Sequence, residues 1–245
     1  MQAASARALI AEAIGTFALT FIGILALSGE LIATASVVPA SLAMVAFAHG
    51  LTIAVMVAAL GMHSGGHFNP AITFGFVLAR RMTPMTGASY WIAQLVGASV
   101  AAFLIMATTD VSAILQGTPA VAENVGLGLA VILEAVTTFF LVLVVFGTAV
   151  DERAPKSVFP FAIGLTITVG IMAIGPLTGG ALNPARAFGP TLASGSWNDH
   201  WVYWVGPLLG GALAALLQRG VLLARAPSPE TAERGGPAPA EKRQR

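Results

Sequence analysis

The sequence predicts an all-α membrane protein: six transmembrane helices plus two re-entrant half-helices, arranged as an inverted repeat. Three observations carry this reading. Of the 245 residues, 56% are hydrophobic and 9% charged, against about 25% charged in a soluble domain. Six long apolar segments follow one another with short polar connections. The tripeptide Asn-Pro-Ala occurs twice, at 69–71 and 183–185, each time between two of those segments.

The six segments are 8–27, 39–60, 86–108, 126–150, 158–174 and 201–223, each within reach of a full span. The first follows Arg7, contains Glu12 and outruns the apolar core of a secretory leader. It therefore reads as a retained span. The two half-helices fall between the second and third spans and between the fifth and sixth. Each opens with Asn at the N-cap and Pro at the first helical position, the strongest start signals available. These are Asn69, Pro70 and Ala71 in the first copy and Asn183, Pro184 and Ala185 in the second. The apolar stretches behind them, 71–79 and 185–193, cover about half of a ~30 Å hydrocarbon core.

An internal repeat links the halves. Glu12-Ala13-Ile14-Gly15-Thr16-Phe17 matches Glu134-Ala135-Val136-Thr137-Thr138-Phe139, and Gly50-Leu51-Thr52-Ile53 matches Gly164-Leu165-Thr166-Ile167. Tyr90-Trp91 matches Tyr203-Trp204, with Gly97 and Gly210 seven residues after each Tyr. The repeats cover about 8–108 and 126–223, and each holds three spans. Three is odd, so the second half lies upside down relative to the first. The half-helices then enter from opposite faces and their N-termini meet near the middle, where broken helices persist only if buried or lining a cavity. Two positive helix ends facing one point repel cations. A neutral dipolar solute such as water can accept hydrogen bonds from the Asn amides there.

Charge gives the orientation. With both termini in the cytoplasm, eleven of the twelve Lys and Arg residues fall on the inner side, while the outer loops carry Glu30, Asp110, Glu123 and Asp199. That is a positive-inside pattern. The exception is Arg186, just behind the second Asn-Pro-Ala, and intramembrane charge of this kind is usually functional.

Ser64-Gly65-Gly66-His67-Phe68-Asn69-Pro70-Ala71, together with Asn183-Pro184-Ala185-Arg186, resembles the aquaporin (major intrinsic protein) family over about residues 8–223. The resemblance implies one pore per subunit, usually a homotetramer, with water and small neutral solutes as its partners and no cofactor. It also carries over a selectivity filter by position. Twenty residues before the first Asn lies His49; twelve and three before the second lie Ile171 and Gly180; the fourth member is Arg186. This set is similar to a subgroup of plant tonoplast intrinsic proteins, whose members pass water and ammonia. Glycerol-conducting relatives typically carry Asp directly after the filter Arg and a basic residue four positions on; here Ala187 and Thr191 stand there. No His lies between Asp110 and Asn124, where ammonia-type relatives are expected to place one, which weakens ammonia but not water.

The remaining polar residues have structural readings. Glu12 and Glu134, symmetrically placed, are expected to be buried and to accept hydrogen bonds from the backbone leading into each half-helix, rather than to form a proton relay. His67 is expected to line the pore beside Asn69. His63 and His67 are four apart, but Gly65-Gly66 between them and the lack of a third ligand argue against a metal site. There is no Cys, hence no disulfide framework. No nucleophile–base pair suggests an enzyme, and nothing supports nucleic-acid binding.

The expectation is thus a passive water channel in a lipid bilayer, residues 1–225, with ammonia, hydrogen peroxide or other small neutral solutes as further permeants. The first alternative is a glycerol, urea or metalloid facilitator. The second is an ion-coupled secondary transporter, which the scarcity of intramembrane charge disfavours. The tail 226–245, rich in Pro, Gly, Glu and Arg, reads as a disordered cytoplasmic extension. Two Lys beside many Arg, Ala and Gly hint at a GC-rich bacterial gene and hence an inner membrane.

Overall fold

A computed structural model describes residues 4–34 and 41–222. Pro39, the start of the second predicted span, and the whole tail lie outside the described residues. The order is α1 (Ala6–Thr34), α2 (Leu42–Ser64), α3 (Pro70–Leu78), α4 (Pro84–Thr108), α5 (Val111–Gly117), α6 (Leu127–Val145), α7 (Phe159–Thr178), α8 (Pro184–Ser194) and α9 (Val202–Leu217). α6 and α9 each end in a wider π-type turn, Phe146–Val150 and Gln218–Leu222. Among the described residues six helices are long and apolar enough to cross a bilayer, with spans of 20 to 25 residues. At about 1.5 Å per residue each covers ~30 Å or more. α3 and α8, with nine and eleven residues, are half that length.

Two predicted ends move for the same reason. The apolar segments end at residues 60 and 174, just before Gly61 and Gly175-Pro176. The helices continue to Ser64 and Thr178, and each stops at a glycine in the left-handed region, Gly65 (φ 90°) and Gly179 (φ 81°). There the glycine N–H closes the last turn onto the carbonyl four residues back, Gly61 or Gly175. A left-handed C-cap is what ends the helix, and only glycine adopts it without cost.

The packing obeys the inverted repeat. α1 packs on α2 and α4, and α6 on α7 and α9; α8 leans on α4 as α3 leans on α9; α2 against α7 joins the halves. Glycines set the closest crossings. A Cβ on Gly50 would meet the Gly164 carbonyl oxygen at 2.4 Å, and one on Gly164 would meet the Gly50 oxygen at 2.3 Å. Gly97 sits on the Ala13 oxygen (2.1 Å) and Gly210 on the Ala135 oxygen (2.0 Å) in the same way. These paired small residues let the backbones touch, the usual device of membrane helix packing. Large apolar side chains such as Leu51, Ile92, Val136, Leu165 and Leu213 point outward, as a hydrocarbon solvent allows.

On the face holding the α6–α7 turn, Lys156 Nζ donates to the Ala149 and Asp151 carbonyls (3.3 and 2.8 Å). Arg153 pairs with Asp151 at 2.6 Å, the one ion pair among the described residues. Hydrogen bonds from Arg153 hold the Asp151 carboxyl down at about 2.

Candidate functional site

The site is built where the two half-helices meet. Asn69 caps α3, its side-chain oxygen accepting from Ala71 N–H at 2.8 Å. Asn183 caps α8, accepting from Ala185 and Arg186 N–H (3.0 and 3.2 Å). With each Oδ1 engaged, the amide groups must point the other way. Asn69 Nδ2 donates to the Leu182 carbonyl (2.9 Å) and Asn183 Nδ2 to the Phe68 carbonyl (2.8 Å). Each half thus donates to the backbone of the other, and each amide keeps one further N–H.

The residues before the two Asn are bent unusually. Phe68 (φ 48°) and Leu182 (φ 52°) are both left-handed without being glycine, a strain of the order of 1 kcal/mol each that surrounding contacts must hold. Two buried carboxylates do so. Glu12 accepts from His67 and Phe68 N–H (3.0 and 2.7 Å), and Glu134 from Ala181 and Leu182 N–H (2.9 and 2.8 Å). Both are fully buried, and their oxygens are filled by fixed backbone donors rather than facing a relay partner.

The predicted filter residues divide. His49, Ile171 and Arg186 share a cavity of about 340 Å³ whose wall also includes Leu27, Val45 and Gln116. Gly180 does not line that cavity; it backs onto Ile171, where a Cβ would stand 3.2 Å from the Ile171 Cα. Arg186 Nε and Nη2 lie 3.4 and 3.3 Å from His49 Nε2. Arginine only donates, so His49 Nε2 accepts, and the proton sits on Nδ1, which donates to the Val45 carbonyl at 2.8 Å. Arg186 Nη1 donates to the Gly117 carbonyl at 3.2 Å. His49 lies against Gly23, where a Cβ would strike its ring at 2.3 Å.

His67 is buried. Its Nδ1 is hydrogen-bonded to Thr73 Oγ1 (3.0 Å), and its ring packs on Phe76 and Tyr90, with centroids 4.3 and 5.4 Å away. Gln94 ties this group together, donating to Glu12 Oε2 (2.8 Å) and to Thr73 Oγ1 (3.0 Å). His63 stays apart, exposed near the end of α2.

Several of these parts were invisible in the sequence reading. α5 is only seven residues long; its sole signal is Asp110 at the N-cap, accepting from Ser112 and Ala113 N–H (2.7 and 3.3 Å). A hydrogen bond from the Ser112 hydroxyl, together with those N–H groups, holds the Asp110 carboxyl below its ordinary range. Its last residue, Gly117, supplies the carbonyl that steadies Arg186. At the same end of the molecule Trp204 Nε1 donates to His200 Nε2 (3.0 Å), which leaves His200 Nδ1–H for Thr191 Oγ1 (3.1 Å). Burial lowers the His200 pKa from its usual value.

The family profile described as major intrinsic protein matches residues 1–218. The chain belongs to the major intrinsic protein family. Among its relatives, "Aquaporin TIP2-3" of Zea mays is 42% identical over 233 residues, 91% of each chain. "Aquaporin TIP2-1" of Arabidopsis thaliana is 42% identical over 224 residues, 90% of this chain and 89% of the relative. An aquaglyceroporin structure from Plasmodium falciparum superposes with a TM-score of 0.75 over 88% of this chain and 96% of its own, at 24% identity, and so shares the fold. The protein is an integral multi-pass member of this family. The two aquaporin relatives named are plant proteins and lend no support to the inner-membrane expectation.

Proposed function

We propose that this protein is a passive water channel. The observation that carries the reading is the crossed pair of asparagines. Asn69 and Asn183 are locked by caps and by each other's carbonyls, and each holds one spare N–H at the junction of two positive helix ends. A neutral molecule with a lone pair is bound and passed there, while a cation meets two dipoles and, in the neighbouring cavity, the Arg186 guanidinium. His49, Ile171, Gly180 and Arg186 form the filter in this reading, with His67 beside the junction and Glu12 and Glu134 as its supports. Those carboxylates are engaged by two backbone N–H groups each and by the neutral side chains of Gln94 and Thr178, which speaks against ion-coupled transport. No reaction is catalysed; flux follows the gradient.

In the same reading the chain runs as one channel domain over residues 1–225, with both termini cytoplasmic by the positive-inside pattern, and four copies assemble. The names of the relatives favour water over glycerol. A second reading, facilitation of glycerol, urea or a metalloid, is kept by one observation: Gly175 and Gly179, on the second-half side of the Arg186 cavity, bring no side chains into it. Proteoliposomes in stopped-flow light scattering distinguish these, with water, glycerol and ammonia run separately. Fast water flux with slow glycerol flux supports the main reading; the reverse order overturns it.

A further inference from the structure

The His49 ring reaches from α2 to α1 and ends in a notch left by Gly23. A Cβ at Gly23 would stand 2.3 Å from His49 Nε2 and 2.7 and 2.8 Å from the ring carbons on either side of it. The tip of the imidazole therefore rests on bare α1 backbone. That tip is the atom that accepts from Arg186 Nε and Nη2. The other side of the ring is pinned to α2, with Nδ1 on the Val45 carbonyl at 2.8 Å. His49 lines the Arg186 cavity, whereas Gly23 is buried and takes no part in its wall. The glycine acts from behind. Its neighbour Ile24 does the same for Arg186: a Cβ on Gly117 would meet Ile24 at 2.7 Å, and Gly117 presents the carbonyl that receives Arg186 Nη1.

The inverted repeat shows what this glycine accompanies. Glycines that serve helix crossings occur in both halves, Gly50 with Gly164 and Gly97 with Gly210. Gly23 does not recur. Counted from the matched Glu12 and Glu134, its counterpart is Val145; His49, just before Gly50, has Ile163 just before Gly164. Val145 and Ile163 are both buried in the main apolar core. Where the second half carries Val and Ile, the first carries Gly and His, so the missing side chain goes with the ring rather than with the crossing of the helices. A methyl group at position 23 would leave the ring nowhere to stay, because close-packed surroundings do not yield by an ångström. Its Nδ1 side is held on α2, α1 blocks it at the tip, and the open space beside it is the cavity of about 340 Å³. Displacement into that space breaks the bonds to Arg186 and narrows the passage. We infer that Gly23 is a positioning residue for permeation: it lets His49 stand back from the cavity and so sets the width left for the permeant. The inference rests on the filter reading above and deepens it.

A double-mutant cycle on unit water permeability in proteoliposomes tests this. Gly23→Ala is expected to lower it about ten-fold, since pore diameter governs conduction. In a His49→Ala background the same change should alter it by less than about two-fold, because no ring remains to be displaced. A glycine needed only for helix packing acts alike in both backgrounds, so equal fold-losses overturn the inference. So does an unchanged water flux in folded Gly23→Ala. Should Gly23→Ala alone fail to fold, the double variant decides. Folded yield and flux restored to those of His49→Ala support a collision with the ring; a double variant that fails where His49→Ala folds overturns it. The filter reading fails separately, if His49→Ala leaves the water, glycerol and ammonia fluxes all unchanged.

Discussion

The two halves of the molecule share a skeleton and differ in what hangs on it. Glu12 holds the backbone before Asn69 as Glu134 holds that before Asn183. Ser64 Oγ accepts from Gly66 N–H as Thr178 Oγ1 accepts from Gly180 N–H, and Tyr90 and Tyr203 hydroxyls donate to the Ser64 and Thr178 carbonyls, both at 2.9 Å. The differences fall on matching positions. Two residues before Asn stand His67 and Ala181; three after it, Ile72 and Arg186; four after it, Thr73 and Ala187; four after Tyr, Gln94 and Pro207. The first half therefore carries a neutral polar network and the second a lone cation. What repeats sets the backbone at the half-helix junction, and what does not repeat sets its chemistry.

Breaking the shared skeleton should be most damaging, and equally so in either half. Glu134→Ala strands two backbone N–H groups and the Thr178 hydroxyl inside the span. Each unmatched buried donor costs about 1–3 kcal/mol, so the variant is expected to lose about 3 kcal/mol or more and most of its folded yield. Glu12→Ala should match it in thermal denaturation; a clear inequality would break the equivalence. Next come the asparagines. Asn183→Ala removes a cap of about 1 kcal/mol and a cross-half bond worth about as much. Asn69→Ala should cost slightly less, since Asn69 caps one N–H where Asn183 caps two. Melting curves of the pair, with water flux alongside, rank them.

The divergent positions should change selectivity before stability. Arg186→Ala is expected to raise glycerol permeability relative to water by roughly ten-fold, about 1.4 kcal/mol of barrier, while the matching change Ile72→Ala leaves that ratio alone. Equal ratios for both in solute-swelling assays would erase the distinction between the halves. Thr73→Val cuts the links to His67 and Gln94 at constant volume and should cost about 1 kcal/mol, seen as a lower melting temperature. The smallest effect belongs to His200. Because its folded pKa lies below the unfolded value, the folded form binds fewer protons. Its stabilisation is complete above the ordinary imidazole range near 6.5 and is lost as pH falls through it. His200→Gln should flatten that slope in melting temperature between pH 7 and 5.

How much of this was legible in the sequence follows from where each signal lies. The spans and half-helix starts are local: apolar length, Asn as cap, Pro behind it. The inversion needed only the count of three spans per repeat. By contrast, Gln94 and Thr73 sit on α4 and α3 and matter because the packing sets Gln94 between Thr73 and Glu12 of α1. Gly23 reads as an ordinary small residue until the His49 ring lies on it. α5 is too short to show an apolar period, and its hold on Arg186 is through a backbone carbonyl, which no side-chain pattern encodes.

The crossed asparagine bonds carry a consequence for assembly. Phe68 C=O and the Asn69 amide find their partners 115 and 113 residues further along the chain. During synthesis the first half therefore waits in the bilayer with the half-helix junction unformed. Closure comes only after residue 183 has been threaded in from the opposite face. A chain truncated before that point would hold spans but no completed junction.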